Sequence, residues 1–288
     1  MMKVSIITAT YNCEESVADA IDSVLSQTYE NIEYVIVDGA SSDRTIEIIK
    51  EKTAGVEQLQ FVSEPDTGIY DALNKGIAMA TGEVIAFLHA DDIYASSCVI
   101  TDVVNVFLST NLTNETNCLS KNESSTELQS HQDGLPNTEH RTPNTVSIDS
   151  VYGDLEYVKK DDVSKVIRYW QSGDCTEKKL KSGWMPPHPT FFVRREVYEK
   201  YGVFDTDLRI AADYDFMMRV LYKHKISTAY LPEVLIKMRL GGESNRSLKN
   251  IIRKSKEDLQ AMKNNDMGGL FALLLKNLSK IKQFVVRN

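Results

Sequence analysis

Apolar residues in the first hundred positions follow two alternating rhythms, short unbroken runs and longer stretches at helical spacing. Residues 3–8 predict a first strand, and residues 10–15 a turn into a helix whose inward face is Val17, Ile21, Val24 and Leu25, ending near Gln27. A second strand over residues 33–37 ends at Asp38-Gly39, and residues 40–43 cap a helix with Ile46 and Ile49 inward. A third strand over residues 59–62 leads through residues 63–68 into a helix over 69–80 with Ile69, Leu73, Ile77 and Ala80 on one face. The fourth strand, Val84 to Leu88, is apolar without alternation, as a strand covered on both faces requires. This β-α-β-α-β-α-β order with short loops predicts an α/β fold, a mostly parallel sheet with right-handed crossovers.

In such sheets ligands bind beyond the carboxyl ends of the strands. Tyr11 and Asn12, then Asp38, then Glu64 and Asp66, then Asp91 and Asp92 follow strands one to four, so all fall on one edge. An aromatic ring to stack on a base, with carboxylates to accept base N–H or ribose hydroxyls, is what a nucleotide pocket needs. The adjacent Asp91 and Asp92 repel each other unless a cation or hydrogen bonds hold them, which suits a divalent metal. Capping of a helix beginning near Ile93 is the other reading of that pair. Singly, each of the remaining residues also has a structural reading: Asp38-Gly39 as a turn, Tyr11 as core, Asp66-Thr-Gly68 as a capped loop. Residues 8–13 contain no glycine and no G-x-x-x-x-G-K-[ST] occurs, which argues against dinucleotide oxidoreductases and P-loop nucleotidases.

At 288 residues, 42% hydrophobic and 26% charged, the chain can form one large domain with an extension or two small ones. Its net charge of -8 speaks against a nucleic-acid partner, which calls for clustered Lys and Arg. Residues 244–288 nevertheless hold ten Lys or Arg against three Asp or Glu, so the tail carries +7 and the body -15. Cys13, Cys98, Cys118 and Cys175 form no zinc-type pair and suit reduced thiols in a cytosolic protein. The first apolar run is too short for a signal peptide, and residues 270–275 fall far below the ~20 residues a bilayer requires. Residues 109–147, rich in Ser, Thr, Asn, Gln and Glu, predict a disordered insertion, in which three N-x-[ST] sequons at Asn111, Asn114 and Asn122 are chance matches. From residue 247 basic and apolar positions alternate on either side of Gly268-Gly269, predicting two amphipathic helices that lie on an anionic membrane surface or pack on the domain.

Four segments, Ser5-Ile-Ile-Thr-Ala-Thr-Tyr-Asn12, Ile36-Val-Asp-Gly-Ala-Ser-Ser-Asp-Arg-Thr45, Glu64-Pro-Asp-Thr-Gly-Ile-Tyr-Asp-Ala-Leu-Asn-Lys-Gly76 and Phe87-Leu-His-Ala-Asp-Asp92, resemble the donor-binding half of family-2 glycosyltransferases with the GT-A fold. Looser matches in Val151-Tyr-Gly-Asp154, Pro187-His-Pro-Thr-Phe-Phe-Val-Arg-Arg195, Tyr201-Gly-Val-Phe-Asp205, Ala212-Asp-Tyr-Asp-Phe-Met-Met-Arg219 and Leu240-Gly-Gly-Glu-Ser244 resemble the branch that builds bacterial surface polysaccharides. The chain then divides into a nucleotide-sugar-binding half (1–108), the polar insertion (109–147), an acceptor and catalytic half (148–245) and a basic amphipathic helical tail (246–288).

By position, the resemblance implies that Thr8, Tyr11 and Asp38 contact the base, that Asp66 and Asp91 lie near base and ribose, and that Asp92 holds Mg2+ or Mn2+ on the donor diphosphate. His89 stands where the family usually has a carboxylate and is expected to pack beside the metal rather than bind it. Asp213 matches the catalytic carboxylate, the base that takes the acceptor hydroxyl proton, although Ala212 replaces the usual Glu before it. Asp215 is the competing assignment, and helix capping the structural one. His188, among Pro186, Pro187 and Pro189, lies in a loop that cannot be helical and either contacts phosphate or acceptor or is structural. Gly241, Gly242 and Ser244 suggest a closing loop. The implied activity is inverting, metal-dependent transfer from a UDP-sugar to a glycan or lipid-linked acceptor, by a cytoplasmic protein peripheral on the inner face of the plasma membrane. A nucleotidyltransferase and a noncatalytic nucleotide-sugar-binding scaffold are the alternatives.

Overall fold

The computed structural model describes residues 1–109, 147–240 and 248–267, together with 269, 272, 273 and 276. Strands β1 (Val4–Thr10), β2 (Ile32–Asp38), β3 (Leu59–Ser63) and β4 (Val84–Phe87) pair in parallel in the order β3-β2-β1-β4. Helices α1 (Val17–Leu25), α2 (Thr45–Lys52) and α3 (Ile69–Met79) make the crossovers between them. Val4 and Ile6 of β1 pack with α1, α2 and the later helix α4 (Val99–Leu108), while Ile7 packs against α3 on the opposite face. Burial on both faces is why these strands lack polar alternation. The approach of α3 is close at Gly76, where an added Cβ would lie 2.4 Å from Ile7 Cγ2. Leu25 and Ile69, expected inward, are 40% and 44% exposed. Each sits at a helix end, beyond the turns that meet the sheet.

After β4 the sheet is mixed, with antiparallel pairs around a parallel pairing of the sixth strand with the ninth. It continues through β5 (Asp92–Tyr94), β6 (Ser150–Lys159), β7 (Asp162–Trp170), β8 (Phe192–Arg194) and β9 (Thr228–Arg239), in the order β4-β8-β6-β9-β5 with β7 paired to β6. β8 runs antiparallel to β4, and β5 antiparallel to β9. No helix begins near Ile93, so capping does not account for Asp91 and Asp92. Helices α5 (Glu177–Lys181), α6 (Arg195–Tyr201) and α7 (Ala212–Met217), the last running on into a π turn over Met218–Lys223, share the core on the α3 face.

The first tail helix, α8 (Leu248–Asn264), packs against α7, with Ala261 and Met262 buried. Among the described residues no helix is long and apolar enough to cross a membrane. Cys13 and Cys98 are free thiols. Most of the insertion with its sequons and Cys118, the Gly241, Gly242 and Ser244 loop, and most of the second tail helix lie outside the described residues.

Candidate functional site

At the carboxyl ends of β1, β2 and β3 the chain makes a braced rim. Asp38 is fully buried and accepts hydrogen bonds from Thr10 Oγ1 (2.9 Å), Ser41 N (2.9 Å), Ser41 Oγ (2.5 Å) and Ser63 Oγ (2.7 Å). These bonds hold the turn in which Ala40 adopts φ 59°, a conformation that costs energy in a residue with a Cβ. Asn12, at φ 45°, joins the neighbouring loop: its N–H donates to Ser41 Oγ (2.9 Å), and its Oδ1 accepts from Ser42 N (2.9 Å).

Tyr11 and Asp66 meet over this turn. An added Cβ at Gly39 would lie 2.5 Å from Asp66 Oδ2 and 3.3 Å from Tyr11 Cδ2. The Tyr11 ring is 66% exposed, which removes the core reading and leaves an open aromatic face beside a carboxylate. Glu64 turns aside to pair with Lys75 at 2.8 Å. The side chain of Thr8 does not reach the rim. It is fully buried, with its hydroxyl 3.2 Å from Tyr34 Oη, and lies two residues short of Thr10, the residue on the same face of β1 that reaches Asp38.

Asp91 and Asp92 occupy different environments. Asp92 is fully buried and, among the described residues, neither carboxylate oxygen has a hydrogen-bond partner. Burial, reinforced by the Asp91 charge, holds it well above the usual carboxylate range, with Arg239 opposing only in part. Asp91 is half-buried and shares its field with His89, which burial pushes below the ordinary histidine range despite the nearby Asp91 and Asp213 charges. His89 is therefore neutral at pH 7, and among the described residues its Nδ1 has no hydrogen-bond partner.

Arg239 fixes this turn from the end of β9. Its Nη1 donates to the Asp91 carbonyl (3.2 Å), and its Nη2 forms an ion pair with Asp19 on α1. Nothing in the sequence marked this residue, since its partners are remote along the chain.

Asp213 stands in the first turn of α7. Its Oδ1 accepts from Tyr214 N (2.7 Å) and lies 3.1 Å from Tyr70 Oη, which is also 3.0 Å from the Ile210 carbonyl. Its Oδ2 takes no hydrogen bond among the described residues. Asp215 is instead engaged through both oxygens, by Arg219 Nη2 (3.0 Å) and Asn265 Nδ2 (2.9 Å). Tyr70, to which the sequence assigned no role, belongs to the segment that carries Asp66 and links the rim to α7.

His188 stacks on Phe87 with ring centroids 5.4 Å apart and lies 6.0 Å from the His89 ring. Contrary to expectation, its loop closes a single 3-10 turn, His188–Thr190; Pro189 sits early in that turn, where no N–H donor is needed. Burial lowers His188 to about 4, and the Asp213 charge restores only part of that shift. His89, Asp91, His188 and Asp213 thus form one electrostatic cluster, with Tyr11, Gly39 and Asp66 as a second group at the rim. The carboxylates of Asp38 and Asp92 lie beneath the surface. Among the described residues no three His, Cys, Asp or Glu side chains are gathered as metal ligands.

Residues 5–202 match the profile of Glycosyl transferase family 2. An uncharacterized glycosyltransferase of Nostoc sp. is 40% identical over 94 residues, covering 32% of this chain and 29% of that protein. A PGL/p-HBAD biosynthesis glycosyltransferase of Mycobacterium bovis is 26% identical over 243 residues, covering 84% of this chain and 78% of the relative. Among solved structures, S. aureus TarS aligns with a TM-score of 0.63 at 17% identity, over 98% of this chain but 44% of TarS. Its 1–349 fragment in complex with UDP-GlcNAc aligns with a TM-score of 0.62 at 19% identity, over 98% of this chain and 73% of the fragment. The mannosyltransferase PcManGT of Pyrobaculum calidifontis, in complex with GDP-Man and Mn2+, gives 0.59 at 16% identity, over 100% of this chain and 76% of that one. The chain therefore spans under a third of the Nostoc relative and under half of full-length TarS, and its α/β architecture is that of GT-A glycosyltransferases.

Proposed function

The chain belongs to glycosyl transferase family 2, and we propose that it moves a sugar, with inversion, from a uridine-diphosphate donor to a hydroxyl of a glycan or lipid-linked acceptor in surface polysaccharide synthesis. The observation that carries this reading is the state of Asp213: Oδ1 is anchored by Tyr70 and Tyr214, Oδ2 takes no hydrogen bond among the described residues, and the charge acts on both His188 and His89. A carboxylate fixed through one oxygen offers the other as a general base at a defined position. Asp215, with both oxygens engaged, is poorly suited to the same task.

In this reading Tyr11 stacks on the base and Asp66 accepts from base or ribose, with Asp38 bracing the turn beneath them. Asp91 lies nearer the ribose and diphosphate. His188, held neutral by burial, offers a hydrogen bond to phosphate or acceptor without adding charge. The buried, unpartnered oxygens of Asp92, which also feel the Asp91 charge, fit a cation that would take the place of a proton. These two residues would hold Mg2+ or Mn2+, leaving the remaining coordination to the diphosphate; the ion would neutralise the charge of the leaving group. UDP-GlcNAc bound to the TarS fragment and GDP-Man with Mn2+ bound to PcManGT support a donor of this class. The +7 tail would favour the anionic inner face of a plasma membrane.

A panel of nucleotide sugars, with and without Mn2+, identifies the donor by the thermal stabilisation it confers. Nucleoside-diphosphate release in Asp213→Asn then tests the base. Release should fall by ~10²–10⁴-fold while donor binding persists. Undiminished release would remove Asp213 from the mechanism, and a protein that binds donor without any turnover would be a scaffold.

A further inference from the structure

We propose that Glu257, on the C-terminal helix α8, is a positioning residue for Asp213, so that transfer depends on α8 being docked; this rests on the reading of Asp213 as the base. Glu257 Oε2 accepts hydrogen bonds from the main-chain amides of Ile210 (2.7 Å) and Ala211 (3.1 Å). These are the two residues before α7, which has no capping side chain of its own. Without Glu257 both amides would lack a partner at the point where the chain turns into the helix.

The same peptide segment reaches Asp213 by a second route. The Ile210 carbonyl and Asp213 Oδ1 are the two partners of Tyr70 Oη, and the Glu257 charge adds to that of Asp213 at the Tyr70 hydroxyl. Glu257 thus holds the Ile210 peptide, that peptide and Asp213 share Tyr70, and Tyr70 fixes the oxygen of Asp213 that is not used as base. At the other end of the contact, Asn265 Nδ2 donates to Asp215 Oδ1 (2.9 Å), with Ala261 and Met262 buried between. α8 therefore grips α7 on both sides of the reactive carboxylate. Displacing that carboxylate by about 1 Å would cost on the order of 10²-fold in rate.

The test compares Glu257→Ala with Glu257→Gln in the full chain, since the Gln amide oxygen still accepts from both N–H groups. In the Ala variant, amide exchange at residues 210–213 should accelerate by roughly tenfold or more. Its kcat, measured with whichever of UDP-GlcNAc and GDP-mannose the wild type turns over, should fall ~10- to 100-fold with donor KM unchanged. Glu257→Gln should restore protection and kcat together. Unchanged exchange at 210–213 in the Ala variant would overturn the proposal, as would a Gln variant no better than Ala, or a loss of kcat matched by an equal rise in donor KM. If Asp213→Asn keeps its kcat, the base reading fails, and the exchange data still decide whether Glu257 holds the segment.

Discussion

A single methyl group decides whether Tyr11 and Asp66 keep their places over Gly39. In Gly39→Ala the new carbon would lie 2.5 Å from Asp66 Oδ2, so that flexible side chain must swing away. Gly39 is buried, but the closest contact is the far end of a flexible side chain, so stability should fall by only about 1 kcal/mol. UDP affinity, measured by isothermal titration, should drop roughly tenfold, about 1.4 kcal/mol. Affinity equal to wild type would show that the rim is not where the nucleotide sits. His188 makes a different prediction because it is buried and neutral. Its folded value of about 4 lies below the ordinary 6.5, so between those pH values the unfolded chain binds a proton that the folded chain refuses. The stability this confers is complete above about 6.5 and is lost as pH falls toward 4, by about 3 kcal/mol. Urea unfolding at pH 7 and pH 5 should show this slope, and His188→Phe should reduce it.

The helices and strands up to β4 were legible because each buries one stripe or both faces, which leaves a period in the apolar residues. Leu25 and Ile69 obey the same period and yet face solvent, since spacing alone does not say which turn of a helix overhangs the sheet. β5 left no signal of its own. It has three residues and exists only by pairing with β9, far along the chain, so the sequence left Asp92 between a metal-holding carboxylate and a helix cap, with no strand in view. Glu33 is another element-scale feature without a motif: it receives Lys3 Nζ (2.8 Å), Ser5 Oγ (2.5 Å), Thr81 N (2.7 Å) and Thr81 Oγ1 (2.6 Å), tying β1 and β2 to the approach to β4. Burial would raise its pKa, but these donors outweigh burial and bring it down to about 2. The stabilisation is present above pH ~4.5 and fades as pH falls toward 2, which makes it about 3 kcal/mol at neutral pH. Glu33→Gln should therefore cost about 2–3 kcal/mol in denaturant unfolding at pH 7, with the difference narrowing as the buffer approaches pH 3.

For the molecule as a whole, the sequence placed the candidate residues at one sheet edge but not which of their carboxylates open onto it. Asp38 and Asp92 carry the right groups and lie beneath the surface, while Tyr70 and Arg239, which carry no motif, hold the site together. Arg239 spans the longest distances in sequence, binding Asp19 of α1 and the Asp91 carbonyl from the end of β9. Lysine, with one ammonium on a flexible stem, cannot reproduce that two-armed contact. In Arg239→Lys the turn carrying Asp91 should loosen, whereas Tyr11, Gly39 and Asp66 depend on β1 to β3 and should stay in place. UDP binding without metal is then expected to match wild type, and the gain in affinity on adding Mn2+ to shrink roughly tenfold. Equal weakening with and without Mn2+ would mean that Arg239 supports the sheet at large, and that the carboxylate pair does not depend on it.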